Sequence, residues 1–137
     1  MAIVFALLAG IFTAAESAIN SQLGKQITPS IATLHSLATG AAFMLAVSFL
    51  RGSYTRYPKI FSLSPVWLIG GILGALIIYL SSKAIPVLGV SRALTLILAA
   101  QILTGLVIDA VYHGSGINVY QVFGVLFFLL GANLIIR

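Results

Sequence analysis

Charged side chains are missing from four long stretches of the chain: Gln26 to Leu50, Ile60 to Ser82, Ala93 to Ile108, and Ala110 to Ile136. A helix needs about 20 predominantly apolar residues to cross the ~30 Å hydrocarbon core of a bilayer. With the apolar N-terminus, the pattern predicts five membrane-spanning helices, at about 2–22, 31–50, 66–82, 87–110 and 119–136. These spans use about 100 of the 137 residues and leave connections too short for a soluble domain. The reading is a single five-helix membrane domain over 1–137, all-α.

The residues between the spans act as punctuation. Thr28-Pro29-Ser30 opens the second span with a proline in the first turn, where a missing N–H costs nothing. Ser64-Pro65 does the same for the third, with Trp67 just inside at interfacial depth. Pro86 is read as the start of the fourth span, because only sixteen residues, roughly 24 Å of helix, separate Arg92 from Asp109. Arg92 then snorkels to the interface or sits in a wet vestibule. Gly114-Ser115-Gly116 makes a turn, and Asn118 is the expected N-cap of the fifth span. The first span lacks a basic n-region and a cleavage site, so it reads as a retained helix rather than a signal peptide.

Composition agrees with a membrane setting. Charged residues are 7%, apolar residues 61% and mean hydropathy +1.16, against about 25% charge in ordinary soluble domains. That excludes an ordinary cytoplasmic enzyme. There is no cysteine for a disulfide, a thiolate metal site or a nucleophile, and the two His and two acids form no metal-ligand cluster. Neither a metal nor another cofactor is expected. The net charge of +5 marks membrane surfaces rather than a nucleic-acid partner, because Lys and Arg lie between the apolar runs. Ser17, His35 and His113 have no positioned partner that would make an enzyme.

Five spans put the two chain ends on opposite sides. Arg51, Arg56 and Lys59 then face Lys25, Lys83, Arg92 and Arg137 across the membrane. Orientation follows the Lys/Arg difference, and three against four leaves room for insertion both ways; a single dominant residue such as Arg56 would instead fix one orientation. A chain inserted both ways forms an antiparallel homodimer that mimics the inverted repeats of secondary transporters. At 137 residues the chain is too small to enclose a substrate path alone.

Polar residues inside the spans carry the candidate chemistry. Thr13, Glu16, Ser17 and Asn20 fall on one face of the first span, with Gly24 a turn further. A charged group near the bilayer centre costs about 2.5–3.5 kcal/mol on insertion scales. Glu16 therefore faces a wet cavity, pairs with a cation, or holds a proton. A carboxyl that holds either a proton or a cationic substrate, but not both, suffices for exchange. The alternative is a protonated interhelical hydrogen-bond donor, with Asn20, Ser17 and Thr13 as packing glue. His35 lies about one turn into the second span and fits interfacial hydrogen bonding; Ser36, Thr39 and Gly40 share a face that suits helix packing as well as substrate contact. Gln101, with Thr104, Gly105 and Asp109 on one arc, reads as pore lining or glue, and Asp109 as a boundary residue. Gly70 with Gly74, and Gly71 with Ala75, are small pairs four apart that provide a packing face or permit a bend. Gly124 and Gly131 form a seam suited to dimer contact.

In order, these features resemble the YdcZ-like branch of the drug/metabolite transporter (DMT) superfamily: Glu16-Ser-Ala-Ile-Asn20-Ser-Gln-Leu-Gly24, then Gly70-Gly71-Ile-Leu-Gly74-Ala75, Gln101, Ile108-Asp109 and a glycine-punctuated last helix. The resemblance covers essentially the whole chain. It implies a half-size relative of the ten-helix EamA-type transporters, completed by dimerisation, in the bacterial inner membrane. The small multidrug resistance proteins, more distant relatives, use a first-helix glutamate for proton-coupled exchange, and Glu16 resembles it by position. The branch pattern has glutamine there at least as often, so the resemblance alone does not carry proton coupling.

The expected function is a secondary transporter working as an antiparallel homodimer, exchanging protons for a small cationic or polar metabolite. Expected site residues are Glu16, Ser17, Asn20, Thr13 and Gln101, with Gly70, Gly74, Gly124 and Gly131 at packing or dimer contacts. A small dual-topology passive channel, with unsaturable flux and no need of a titratable group, is one alternative. A non-transporting subunit packed on a partner protein is the other.

Overall fold

The computed structural model describes residues 1–112, 116 and 118–137. Of the turn read at Gly114-Ser115-Gly116, Gly114 and Ser115 lie outside the described residues, as does His113. The described elements are all helical: α1 (Ala2–Gln26), α2 (Pro29–Leu50), a 3₁₀ helix over Ser53–Ser62, a 3₁₀ turn over Pro65–Leu68, α3 (Gly70–Leu88), α4 (Val90–Tyr112) and α5 (Val119–Ile136). Five of these segments are long and apolar enough to cross a membrane, in agreement with the five predicted spans.

Local chemistry explains most boundaries. The Thr28 hydroxyl accepts from the Ile31 amide at 3.2 Å, and Pro29 occupies the first turn of α2. Asn118 caps α5 in a reciprocal capping box with Gln121, whose side chain accepts from the Asn118 amide at 2.9 Å. α1 runs four residues past the expected end, to Gln26, and two further boundaries differ for reasons that the local geometry shows. The third span is not one helix from residue 66: the Trp67 amide closes a 3₁₀ turn on the Ser64 carbonyl at 3.0 Å, and the α-helix begins only at Gly70. The pitch changes at Ile69, and Gly70, Gly71 and Gly74 lie in the first turns of α3.

Pro86 is the second correction. It does not open the fourth span but sits inside the last turn of α3, which runs on to Leu88. The break falls at Gly89, whose φ of 82° is left-handed backbone that glycine adopts without a Cβ clash. α4 then starts at Val90, with Arg92 in its first turn, and gains the missing length at its other end by running past Asp109 to Tyr112.

The chain divides into two compact units, Met1–Pro86 and Val87–Arg137. In the first, α1 and α2 form an antiparallel hairpin about Ile27 and Thr28, and the buried residues are mostly small or polar. They are Asn20, Ser21 and Gly24 of α1, Ala32 and Thr33 of α2, and Ser81, Ser82 and Ile85 of α3. Small side chains let helix backbones approach closely, which in lipid replaces a hydrophobic driving force. A Cβ on Gly24 would stand 3.4 Å from Pro29 Cα and 3.7 Å from Ser82 Cβ. In the second unit, Ala93 of α4 and Ala132 of α5 are buried, and the Arg92 guanidinium donates to the Arg137 carbonyl at 3.3 Å. That places a cation at the negative end of the α5 dipole. The large apolar side chains point outward, as a lipid-facing surface requires.

The Gly24 contacts give a first prediction. Gly24→Ala keeps ordinary van der Waals separations and should leave the thermal unfolding midpoint in detergent nearly unchanged. Gly24→Leu must displace the Pro29 backbone, and a loss of about 1–3 kcal/mol is expected for such overpacking. Equal midpoints for the two variants would contradict the close approach.

Candidate functional site

Glu16 stands two residues past the midpoint of the 25-residue α1, roughly 3 Å along the helix axis. This is the depth at which a carboxyl most needs company. The hairpin supplies it. Asn20 is seven residues before Ile27 and Ser36 eight after Thr28, so equal helical rise on the two arms brings them to one level.

Three side chains meet there. The Ser36 hydroxyl donates to Glu16 Oε1 at 3.2 Å, and Asn20 Nδ2 donates to Ser36 Oγ at 3.2 Å. Asn20 Nδ2 also lies 3.5 Å from Glu16 Oε1, at the limit of a hydrogen bond. Hydroxyl-to-carboxylate bonds are usually about 2.5–2.7 Å, so this triad is loosely made and open to adjustment. Among the described residues, both contacts to Glu16 arrive at Oε1 and Oε2 receives none. Asn20 is buried while Glu16 is exposed: the amide is fixed in the hairpin, and the carboxyl it steadies faces outward.

The carboxyl opens onto a cleft of about 490 Å³ between α1 and α2. Phe12, Ala15, Ile19 and Leu23 form its apolar side, and His35, Ser36 and Thr39 join Glu16 and Asn20 as its polar side. The Thr39 hydroxyl is spent on the His35 and Ser36 carbonyls, at 2.9 and 3.0 Å. The arrangement is an apolar slot with one carboxylate and a few neutral donors. It has the chemistry to hold a proton or a small cation at the free carboxylate oxygen.

Other expected site residues stand apart from this triad. The Thr13 hydroxyl bonds back to the Ala9 carbonyl of its own helix at 2.8 Å, and neither Thr13 nor Ser17 lines the cleft. Gln101 belongs to α4 in the second unit, where it is exposed. At Gly70, Gly74, Gly124 and Gly131 an added Cβ would meet no described atom within 4 Å. Ser36 and His35 are the residues that the sequence undervalued, read there as packing and interfacial groups. The signal that finds them is their distance from the turn, which matches that of Asn20, one helical turn from Glu16.

A family model described as "Putative inner membrane exporter, YdcZ" matches residues 1–134 of the chain. The chain belongs to this family. The resemblance read from the ordered motifs is thereby borne out, and with it an inner-membrane location. No curated protein and no solved structure matches the chain. Exporters of the YdcZ family are membrane transporters by description, not a class of enzyme.

The triad makes a testable claim about coupling. A double-mutant cycle of unfolding free energy between Glu16→Gln and Ser36→Ala should give an interaction of about 1 kcal/mol, the net worth of an ordinary hydrogen bond. The same cycle with Thr13→Ala should give none within about 0.5 kcal/mol. Coupling to Thr13 but not to Ser36 would mean the carboxyl is held differently.

Proposed function

We propose that this YdcZ-family chain is a secondary transporter that moves a small cationic or polar metabolite out of the cell in exchange for protons, with Glu16 as the shared binding group. The observation that carries this reading is the half-held carboxyl: Oε1 is steadied by Ser36 and Asn20, no described contact reaches Oε2, and Glu16 lines a largely apolar cleft near the middle of the span. A proton and a cation compete for the same oxygen, so the two cannot occupy it together. Alternation between them couples the two gradients without any covalent step. Asn20 and Ser36 orient the carboxyl. Ser17, Thr13 and Gln101 serve in this reading as further substrate contacts, placed by their helix faces, and the Thr13 hydroxyl reaches substrate only by leaving the Ala9 carbonyl.

The working unit we propose is a homodimer with its two copies inverted. Physical support comes from exposure. A carboxyl near the middle of a span is costly in contact with lipid, yet Glu16 is exposed in a single copy. The glycines of α3 and α5 likewise have room around them that a second copy could fill. The three-against-four basic balance permits inversion, and two inverted copies of one five-helix membrane domain supply the pseudo-symmetry that alternating access uses.

Two measurements test this. In proteoliposomes with an imposed proton gradient, Glu16→Gln should abolish gradient-driven uptake of a panel of small amines and quaternary ammonium ions, with helix content unchanged. Glu16→Asp should keep part of it. Unchanged driven uptake by Glu16→Gln would sink the proposal, and fast unsaturable flux in that variant would indicate a channel. For topology, C-terminal reporter fusions should show both orientations, and adding two lysines to the Arg51–Lys59 connection should drive the population to one. A single orientation in the unmodified chain would remove the antiparallel dimer.

A further inference from the structure

A second cavity lies away from Glu16, in the first unit, where the C-terminal half of α2 meets the 3₁₀ helix Ser53–Ser62. Its volume is about 730 Å³, within the roughly 300–1,000 Å³ of small-molecule sites. Three residues per turn make positions i and i+3 eclipse in a 3₁₀ helix, so this segment has three straight rows of side chains. Ser53, Arg56 and Lys59 form one row, and Tyr54, Tyr57 and Ile60 the next; both rows line the groove. The third row, Thr55, Pro58 and Phe61, does not. The opposite wall is apolar, from Met44, Leu45 and Phe49 of α2, and Leu63 lies beyond the end of the 3₁₀ helix. Phe49 and Tyr54 brace the junction with ring centroids 4.7 Å apart.

The groove therefore combines an apolar wall belonging to a membrane span with two cations and two phenols on the segment that leaves it. No acid occurs in the sequence between Glu16 and Asp109, so this stretch of chain offers the cations no carboxylate of its own. We infer that the groove is a binding site for one anionic phospholipid, with its acyl chain along Met44, Leu45 and Phe49 and its headgroup phosphate on Arg56 and Lys59. Charge complementarity selects an anion. The apolar wall selects one that carries a hydrocarbon chain, and Tyr54 and Tyr57 suit the headgroup level, where aromatic rings with a polar tip concentrate. This site is independent of proton exchange at Glu16 and would stand if that reading fell.

The test is fluorescence quenching by lipids brominated in the acyl chain. Trp67 is the only tryptophan, so Trp67→Phe with Tyr54→Trp puts a single probe in the groove. In phosphatidylcholine vesicles, brominated phosphatidylglycerol as a minor component should quench it far more than brominated phosphatidylcholine at the same fraction. Adding Arg56→Gln and Lys59→Gln should weaken the preference by roughly 25-fold, about fivefold for each cation near the surface. The charge-preserving exchange Arg56→Lys with Lys59→Arg should keep it, with helical circular dichroism matching in all variants. Equal quenching by the two lipids would overturn the inference, as would a preference that survives the double Gln variant or is lost in the charge-preserving one. Relief of quenching by millimolar inorganic phosphate would replace the lipid with a free anion.

Discussion

Hydrocarbon solvates neither a carboxylate nor an unpaired amide, and every informative feature of this protein follows from how it meets that constraint. Backbone groups are satisfied within helices, which is why the described residues form helices and short 3₁₀ segments. Side chains with charge lie in connections or within about two turns of a helix end, Lys83 of α3 among them, with one exception near the middle of α1. The exception, Glu16, is met by two neutral donors that the α1–α2 hairpin delivers to its level. A neutral pair steadies the carboxyl without neutralising it. An arginine in place of Asn20 would form an ion pair and leave nothing to exchange.

The same constraint shapes the packing. Apolar contact between helices gains nothing over contact with lipid tails, so the buried residues are Ser, Thr, Asn, Ala and Gly, with Ile85 the one large apolar side chain among those described. Gly24 is where this is most acute, since the α1–α2 turn and α3 both approach its missing Cβ. The glycines of α3 and α5 answer a different need. They are uncrowded within the described residues, and the proposed inverted dimer gives them a use.

Much of this was legible in the sequence because lipid enforces a simple code. Gaps between charges gave five spans, and Thr28, Pro29 and Asn118 marked helix starts through hydrogen bonds that their side chains or ring can make or forgo. The errors have physical causes. Pro86 is read as a helix start because the Arg92–Asp109 interval is short, yet it lies in the last turn of α3, and the left-handed φ at Gly89 ends the helix. For the site, single-helix reasoning grouped Thr13 and Ser17 with Glu16, because all three share a face. It undervalued Ser36, because a partner on the next helix is visible only when residues are counted outward from the turn. The Arg51–Lys59 stretch, with Tyr54 and Tyr57, reads as the longest and most basic connection, and its amphipathic 3₁₀ form is hidden because the repeat is three, not 3.6.

The central claim is that one carboxyl serves the proton and the substrate in turn. It is tested most directly by proton release. Adding an excess of a transported organic cation to the purified, weakly buffered protein in detergent should release up to one proton per copy. Glu16→Gln should release none. Cation binding by the native protein with no proton released, or equal release from Glu16→Gln, would contradict the account.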